Sequence, residues 1–403
     1  MKQKEFFIYI LCVVFSLLSI VEGKGLKKIH IIPTFNYDSD PNKFFDLSND
    51  DYLYPSISTA FLRLRKVLPK IGYSIEASSS STDLSNADLI IDVAAIRHNS
   101  QASKNWFHKL ARYPKEKLIL LMTESPAIVP DYFLFNFRPN LDIDKRLYDY
   151  YNKVLTWEEA KINGKNILRF FFPTPTLKVI DHTVDFNQKK LCMLASTFRK
   201  GNGYDYRRSI VNFFNKYYPN DLDLYGNSWP KHLRIYKGHI PKNQLVVHED
   251  MVCSQQYAIN CIRNYKFSFC IENINADGWI TERIFDTFLA GSVPIYLGAP
   301  NIEEYIPADC FIDLRKFKDH NELYMFLRSI TKEQYEEYLN RIRKYLESDE
   351  AFFFSIEHFM DVILSILDKN YNKGLIFNDG QCAKLLRMKN TVLYKKFTKD
   401  QES

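Results

Sequence analysis

The sequence lacks the short motifs that would assign it to the most familiar enzyme classes. Its 403 residues contain no C-x-x-C pair, no G-x-G-x-x-G or P-loop, no G-x-S-x-G elbow and no H-E-x-x-H. These absences argue against a cysteine-rich zinc site, the common glycine-rich phosphate loops and a hydrolase nucleophile. No block of Lys and Arg is dense enough to form a nucleic-acid-binding stripe, so we expect no nucleic acid partner.

What is present is the composition of a globular chain. Hydrophobic residues make up 46% and charged residues 25%. The length exceeds that of one ordinary hydrophobic core, so we expect two domains. The formal net charge of +6 is a small excess, which suits an enzyme that holds an anionic nucleotide diphosphate.

The first 23 residues differ from the rest of the chain. Lys2 and Lys4 precede an apolar run over residues 6–21, which is slightly shorter than the ~20 residues of a spanning helix. We predict a signal anchor or a signal peptide over residues 1–23, and we favour the uncleaved anchor. The chain has no N-x-S/T acceptor site, which counts slightly against a home in the secretory pathway.

The seven cysteines do not form a dense framework. Cys12 lies in the apolar run, and the remaining six are compatible with an oxidising compartment but are widely spaced. Cys192, Cys270 and Cys310 fall in strand-like runs, where we expect buried thiols.

Short apolar runs alternate with helical patterns, which indicates an α/β architecture with parallel sheets. In the first half we predict strands at 27–33, 88–96, 117–122, 153–157 and 167–172, and a helix at 57–68. A Pro-Thr-Pro segment follows, and we place a domain linker at 173–188. In the second half we predict strands at 190–195, 221–225, 265–271, 293–297 and 311–314, and helices at 206–218, 281–289 and 332–369. Two such sheets imply a ligand cleft outside the carboxyl ends of their strands.

The densest group of candidate binding residues lies in residues 269–298, FCIENINADGWITERIFDTFLAGSVPIYLG. A helix begins near Thr281, and a helix N-terminus at a cleft attracts phosphate because its N–H groups are unpaired. Arg283 adds a cation for a diphosphate, and Glu282 can accept hydrogen bonds from sugar hydroxyls. Trp279 offers a stacking face. From the pattern alone, an exposed first turn for Glu282 and Arg283 and a core position for Trp279 are equally good interpretations.

This segment resembles the donor-binding signature of the α1,3/4-fucosyltransferases. The family pattern is roughly F-x-x-x-F-E-N-S, then Y-[VI]-T-E-K-[IL], then A-G-x-V-P-[VI]-x-x-G. The chain has IEN at 271–273, WITERI at 279–284 and AGSVPIYLG at 290–298, and the similarity continues to residue 313. Trp279 replaces the usual tyrosine and Arg283 the usual lysine, so both positions keep their aromatic and cationic character.

The resemblance extends upstream to two further candidates. The segment MTESP at 122–126 resembles the family segment that carries the general base, which implies that role for Glu124. A carboxylate just past a strand end can take a proton from an acceptor hydroxyl, although from the residues alone a capping role is preferred. Residues 195–226 resemble the family's S-N…R…Y-G stretch, which implies that Arg207 contacts phosphate. Arg208 is the alternative, and either arginine also fits a solvated helix end.

The resemblance implies a fold and an activity. The fold is two Rossmann-like domains that face a cleft (GT-B type), with an N-terminal hydrophobic anchor and a C-terminal helical tail. The activity is inverting transfer of fucose from GDP-fucose to a hydroxyl of an N-acetylglucosamine-containing glycan, in α1,3 linkage, in protein or lipid glycosylation. The expected segments are 1–23 (anchor or signal peptide), 24–178 (acceptor domain), 179–350 (GDP-fucose domain) and 351–403 (helical tail).

The same resemblance implies roles and partners. Arg207 and Arg283 stabilise the diphosphate, and Asn273, Trp279 and Glu282 hold ribose and fucose. The partners are GDP-fucose, a glycan acceptor and a membrane that the N-terminal segment enters. We expect no obligatory cofactor, with a divalent metal at most stimulating the reaction. The expected location is the Golgi membrane with a lumenal catalytic domain, and a bacterial membrane-associated or secreted enzyme is the alternative.

Two other function classes stay open at this point. In a metal-dependent glycosyltransferase, a D-x-D pair binds manganese through the diphosphate, and the chain has three such pairs, Asp38/Asp40, Asp142/Asp144 and Asp221/Asp223. The last pair fits strand alternation better, and the other two lie in polar loops. A non-catalytic glycan- or nucleotide-binding protein is the second alternative.

Overall fold

The computed structural model describes residues 25–398 except 34–38, 47, 49–54, 80, 95–108, 111, 126–146, 180–183, 200, 243–250 and 252. The strands are Lys27–Ile32 (β1), Tyr73–Ala77 (β2), Leu89–Ala94 (β3), Leu118–Met122 (β4), Lys153–Thr156 (β5), Ile167–Arg169 (β6), Lys190–Ala195 (β7), Leu222–Tyr225 (β8), Tyr236–Gly238 (β9), Tyr265–Ile271 (β10), Val293–Leu297 (β11) and Ile312–Asp313 (β12). The α-helices are Pro55–Val67 (α1), Asn202–Tyr217 (α2), Cys253–Ile262 (α3), Glu282–Leu289 (α4), His320–Ser329 (α5), Lys332–Glu347 (α6), Ile356–Leu367 (α7), Asp379–Arg387 (α8) and Val392–Thr398 (α9).

The first half of the chain forms one parallel sheet with the order β2-β1-β3-β4-β5-β6. Every residue of β4 (LILLM) is buried. A continuous apolar run of this kind is typical of a parallel strand that is covered on both faces. The strand order reverses between β1 and β3, and the chain then proceeds outward to β6.

The second half forms another parallel sheet with the order β12-β11-β10-β7-β8-β9. Counted from β7, this is the strand order 6-5-4-1-2-3 of the dinucleotide-binding fold. The connections leave β7 and β10 toward opposite edges of the sheet, so a crevice opens at the carboxyl ends of these two neighbouring strands. The predicted α/β architecture with two parallel sheets is confirmed.

Helix α4 shows why the sequence pattern placed it correctly. Its apolar residues recur at helical spacing, and the structure buries Ile284, Phe285 and Phe288 against the sheet. Thr281 precedes the helix in an extended conformation, which sets Glu282 and Arg283 in the first turn. The amino end of α4 therefore lies beside the carboxyl end of β10.

The C-terminal helices differ from the single helix predicted at 332–369. Helix α6 ends at Glu347, and α7 begins at Ile356 after a short buried turn over Ala351–Phe354. The Ser355 hydroxyl accepts a hydrogen bond from the His358 N–H and caps α7, which explains the new start. Helix α7 then packs on α1 of the first half, where the rings of Phe61 and Phe359 are 5.5 Å apart.

Three further expectations concern the chain's organisation. The first sheet ends at Arg169 and the second begins at Lys190, on either side of the predicted linker, while the division into domains stays a prediction. The predicted anchor lies outside the described residues, among which no helix is long and apolar enough to cross a bilayer. Cys192, Cys270 and Cys310 are free and buried, as predicted.

Candidate functional site

The candidate site lies at the switch point of the second sheet. Strands β7 and β10 are parallel neighbours there, with Phe267 opposite Cys192, and both end at the same edge. Ser196 follows β7 and Glu272 follows β10, and both side chains are buried. In open α/β sheets, ligands bind in the crevice at this position.

Helix α2 approaches the end of β10 very closely at Gly203. The Gly203 N–H donates to the Asn273 carbonyl oxygen at 3.1 Å. A Cβ atom at residue 203 would lie 2.9 Å from the carbonyl carbon of Glu272 and closer still to its oxygen. Only glycine fits at residue 203. The Gly201-x-Gly203 pair is therefore a sequence signal for this close approach, and the prediction from motifs did not include it.

Replacing Gly203 with alanine is expected to destabilise the chain by about 1–3 kcal/mol or more, because the new methyl group must push α2 away from β10. The free energy of unfolding in denaturant measures the change. Gly380 is the matched control, since it also occupies the second position of a helix and a Cβ there meets only the Asn378 side chain, at 3.4 Å. A Gly203→Ala variant as stable as Gly380→Ala would contradict the close approach.

Arg207 joins the two strand ends. It is 1% exposed, and its Nε donates to the Ile271 carbonyl oxygen at 3.0 Å while Nη2 donates to the same oxygen. Its Nη1 donates to Ser196 Oγ at 3.2 Å. Burial, and then the charge of Arg283, lower the pKa of Arg207 to about 9, which still leaves the guanidinium protonated at neutral pH.

Arg208, the alternative in the sequence, occupies a different environment. It forms an ion pair with Asp205 and donates to the Arg199 carbonyl oxygen, both on the outer side of α2. The structure therefore places Arg207, and not Arg208, at the crevice. The Nε, Nη1 and Nη2 atoms of Arg207 all donate to protein oxygens, so its contact with a phosphate stays a prediction.

Glu272 is the buried acid of the site. Its Oε1 accepts from the Thr281 N–H at 3.0 Å and from the Thr281 hydroxyl at 2.9 Å. Burial raises the pKa of Glu272 to about 7, with Arg283 opposing the shift and Glu282 adding to it. Glu272 belongs to the IEN segment of the motif, but the sequence alone indicated no role for it. Its position shows that it fixes the start of α4.

Arg283 is the cation that reaches the crevice. Its side chain is 35% exposed, its Nε is 3.9 Å from Glu272 Oε2, and its Nη1 donates to the Ala195 carbonyl oxygen at 3.5 Å. Burial disfavours its charge, but the carboxylates of Glu282 and Glu272 outweigh this effect and raise the pKa of Arg283. Glu282 precedes it in the first turn of α4 and is half-buried.

Trp279 is a core residue in this structure. It is 2% exposed, and its ring lies edge-on to Trp157 at 4.8 Å and to Phe172 at 5.5 Å. The core position considered for it in the sequence is what the structure shows. A stacking role at the sugar needs an exposed ring face. The burial of Trp279 gives no support to that role, which stays a prediction.

Glu124 lies just past the edge of the first sheet. It follows β4 and is half-buried, and its carbonyl oxygen accepts from Trp157 Nε1 at 3.0 Å. The next residue, Ser125, donates its hydroxyl to Asn273 Oδ1 at 3.0 Å. The carboxyl end of β4 therefore meets the loop after β10, and the structure brings Glu124 and Asn273 to one place although they are far apart in the chain.

The arrangement has a clear chemical capacity. The second sheet contributes the cations Arg207 and Arg283, and Arg283 lies in the first turn of α4, where backbone N–H groups also favour an anion. The first sheet contributes a carboxylate, Glu124, next to the Ser125–Asn273 contact between the two halves of the chain. A bound anion with a reactive group directed toward the first sheet would bring that group to the segment that carries Glu124.

Comparison with known proteins shows which proteins this chain is similar to. Residues 185–364 match the family described as glycosyltransferase family 10 (fucosyltransferase), C-terminal. The 4-galactosyl-N-acetylglucosaminide 3-alpha-L-fucosyltransferase 9 of Mus musculus is 35% identical over 115 residues, which cover 26% of this chain and 32% of that protein. A putative fucosyltransferase-like protein of Arabidopsis thaliana is 42% identical over 62 residues, 15% of this chain and 12% of that protein.

A solved structure shows the same fold over a longer stretch. The glycosyltransferase from Rickettsia africae ESF-5 aligns with a TM-score of 0.50 at 10% identity and covers 88% of this chain and 100% of its own. The curated relatives, in contrast, match this chain over a third or less of their own length. The crevice between β7 and β10, with Glu272, Glu282 and Arg283, lies inside the family match. Residues 185–364 are thus similar to the C-terminal domain of glycosyltransferase family 10, the fucosyltransferase family.

Proposed function

We propose that this chain is an inverting fucosyltransferase that moves fucose from GDP-fucose to a hydroxyl of an N-acetylglucosamine-containing glycan, in α1,3 linkage, in protein or lipid glycosylation. One observation carries the proposal: Arg207 and Arg283 lie at the switch point of the second sheet, and the Ser125–Asn273 hydrogen bond brings the segment that carries Glu124 to the loop after β10. The family match and the fucosyltransferase relatives support it.

The proposed reaction is a single displacement at C1 of fucose. The second half holds GDP-fucose, and Glu124 of the first half takes the proton of the acceptor hydroxyl as that oxygen attacks C1. The bond from C1 to the diphosphate breaks, and GDP leaves with the bonding electron pair. The positive charges of Arg283 and Arg207 stabilise the developing charge on the diphosphate, so these residues act most strongly in the transition state.

Donor contacts outside the diphosphate are assigned by the resemblance. Asn273 and Glu282 hold ribose and fucose, since both side chains are partly exposed at the crevice. Trp279 contributes by packing against Trp157, which supports the loop that carries Asn273. Ser196 and Glu272 orient Arg207 and the start of α4 and need not touch the donor.

We propose that the reaction needs no obligatory metal. In the only D-x-D pair among the described residues, Asp223 is held by Lys190 at 2.6 Å and by the Tyr265 hydroxyl at 2.7 Å, and Asp221 accepts from the Tyr324 hydroxyl at 2.8 Å. Both carboxylates therefore have protein partners that a metal ion would have to displace. Within the described residues, no group of three or more His, Cys, Asp and Glu is placed to hold a metal.

A membrane location is part of the same proposal. The apolar run at 6–21 would anchor the enzyme in the Golgi membrane with the catalytic part in the lumen, or in a bacterial membrane. Fractionation of cells that express the full chain, before and after removal of residues 1–23, tests this placement.

The deciding experiment is a transfer assay. Purified full-length chain is incubated with GDP-fucose and a panel of lactosamine, core N-acetylglucosamine and bacterial surface glycans, with and without EDTA. Fucosylated product in the presence of EDTA is the expected result. Product only without EDTA would favour a metal-dependent enzyme, and GDP binding without any product would favour a non-catalytic binding protein.

Donor affinity should depend on pH through Glu272. Its pKa is about 7, so the side chain gains a negative charge as the pH rises from 6 to 8, beside Arg283 and the diphosphate. The protonated form favours the anion. With a coupling of about one pKa unit, the affinity for GDP-fucose without acceptor is expected to fall by about fivefold over this range.

The Glu272→Gln variant is the control for this effect. Glutamine keeps a carbonyl oxygen for the Thr281 hydroxyl and N–H but does not ionise. Calorimetric titration with GDP-fucose at pH 6, 7 and 8 should therefore give a nearly constant dissociation constant for the variant. Equal pH slopes in both proteins would show that another group is responsible.

A further inference from the structure

The turn at Gly278 is held from both sides. Its N–H donates to Asn301 Oδ1 at 3.0 Å, and its carbonyl oxygen accepts from Arg169 Nη2 at 2.9 Å. Its φ of 76° is in the left-handed region, and a Cβ atom there would lie 2.7 Å from the Trp157 carbonyl oxygen. The sequence therefore needs glycine at this turn, and the turn cannot shift without breaking these contacts.

Arg169 comes from the other sheet. It ends β6, is 7% exposed, and donates Nη1 to the Trp157 carbonyl oxygen at 2.7 Å. Its guanidinium lies over the rings of Phe171 at 4.6 Å and Tyr305 at 5.3 Å. A buried cation in this position is costly unless its hydrogen bonds are made, so the geometry of its two carbonyl partners is strongly fixed.

Glu159 fixes the second partner of the turn. Its Oε1 accepts from Asn301 Nδ2 at 2.9 Å and from the Tyr305 hydroxyl, and its Oε2 accepts from Lys396 Nζ at 2.5 Å. Burial alone would raise the pKa of Glu159, but these hydrogen bonds outweigh it and lower the pKa. Asn301 thus has its oxygen directed to Gly278 because its nitrogen is held by an ionised carboxylate.

We propose that Arg169 and Glu159 are positioning residues for the donor site. They act from the first half of the chain through the Gly278 turn, which leads by Trp279 to Thr281, the cap of α4. Helix α4 begins with Glu282 and Arg283, so the turn sets where these two side chains stand in the crevice. Lys396 of α9 completes the clamp of Arg169, Glu159 and Asn301, so the last described helix also supports the donor site. Any test of this inference by GDP affinity rests on the proposed function.

The contacts decide the size of the expected effects. Arg169→Lys keeps a cation but can serve only one of the two carbonyl groups well, and loss of a hydrogen bond to a charged group is expected to weaken GDP binding by about tenfold. Lys396→Met removes partly exposed ion pairs with Glu159 and Glu304, and an effect of about threefold is expected. Both are measured by calorimetric titration of the full chain with GDP.

Lys395→Met is the matched control for Lys396→Met. Lys395 is the preceding residue of α9 and is exposed, and among the described contacts its side chain pairs with no carboxylate. Its replacement should leave GDP affinity within about twofold of the wild type. Equal affinities for the two lysine variants would contradict the contribution of Lys396.

A double-mutant cycle separates positioning from general stability. If Arg169 acts by placing Arg283, Arg169→Lys should lose most of its effect on GDP affinity in an Arg283→Met background. A purely structural role would produce the same fold-change in both backgrounds, and that outcome would overturn the proposal. The surface variant Lys396→Met can be put through the same cycle should Arg169→Lys not fold.

Amide hydrogen exchange gives a test that needs no ligand. Exchange over residues 278–283 in the free chain should be faster in Lys396→Met than in Lys395→Met, because a loosened clamp lets the turn open. Failure of the wild-type chain to bind GDP would refute the proposed function and leave this test standing. Unchanged exchange and unchanged affinity in every clamp variant would refute the clamp alone.

Discussion

Replacing Glu124 with glutamine is expected to lower kcat by about a thousandfold while GDP affinity stays within about twofold of the wild type. An amide cannot take the proton of the acceptor hydroxyl, so the chemical step loses its base. The backbone of residue 124 keeps its hydrogen bond from Trp157, and the Ser125–Asn273 bond is untouched, so the crevice should keep its shape. Steady-state fucose transfer and calorimetric GDP titration measure the two quantities.

The control for this prediction is a glutamate near the other end of the same strand, β4. Glu116 is an exposed carboxylate just before the amino end of β4, whereas Glu124 follows its carboxyl end. Glu116→Gln should leave both kcat and GDP affinity unchanged. A Glu124→Gln variant that keeps more than about a tenth of the wild-type kcat would rule out this residue as the base, and a parallel loss of GDP affinity would point to a structural role.

Replacing Arg283 with methionine is expected to lower kcat/KM for GDP-fucose by about a hundredfold or more. The variant removes a cation that faces the diphosphate in the ground state and more strongly in the transition state, where charge on the leaving group increases. Methionine preserves much of the side-chain length, so the packing of α4 should be kept. Initial rates over a range of GDP-fucose concentrations give the value.

Two comparison variants sharpen this result. Arg283→Lys supplies the cation that the fucosyltransferase pattern has at this position, and its kcat/KM should stay within about tenfold of the wild type. Arg208→Met removes an arginine of the outer face of α2, paired with Asp205, and should have no effect on the donor. If kcat/KM for GDP-fucose fell as far in Arg208→Met as in Arg283→Met, the donor site would have been assigned to the wrong place.

The strands that the sequence predicted well share one physical property. Strands β4 and β11 are buried inside their sheets, so each is a continuous apolar run that stands out from its polar flanks. The helix α4 has a regular apolar stripe, which the 3.6-residue period identifies. Because these elements are buried, their apolar patterns can be recognised in the sequence.

The elements that the sequence did not predict fail for identifiable reasons. Strand β9 has three residues, too few to show a period. Helix α3 buries polar side chains on its inner face, where Gln255 donates to Asp286 at 2.7 Å and Gln256 to the Met251 carbonyl oxygen at 2.6 Å. Because these buried amides are satisfied by groups outside the helix, no apolar stripe marks it.

The site shows the same division. The order of residues in the motif pointed to Glu282 and Arg283, and the family resemblance pointed to Arg207 with Arg208 as the alternative. Exposure could not be read in this way, and Trp279 is buried between Trp157 and Phe172, which no local pattern of residues 269–298 reveals. A stacking face exists only where neighbouring elements leave the ring uncovered.

By itself, the sequence determined the two parallel α/β sheets, the position of the helix after β10 and the family of residues 185–364, because these follow from periodicity and from a local motif. Only the tertiary structure decided which distant groups meet. Arg207 binds the carbonyl group of Ile271, 64 residues away, and Ser125 binds Asn273, 148 residues away. Such contacts depend on strand order and on the packing of one half against the other, and neither quantity is encoded in any short stretch of the chain.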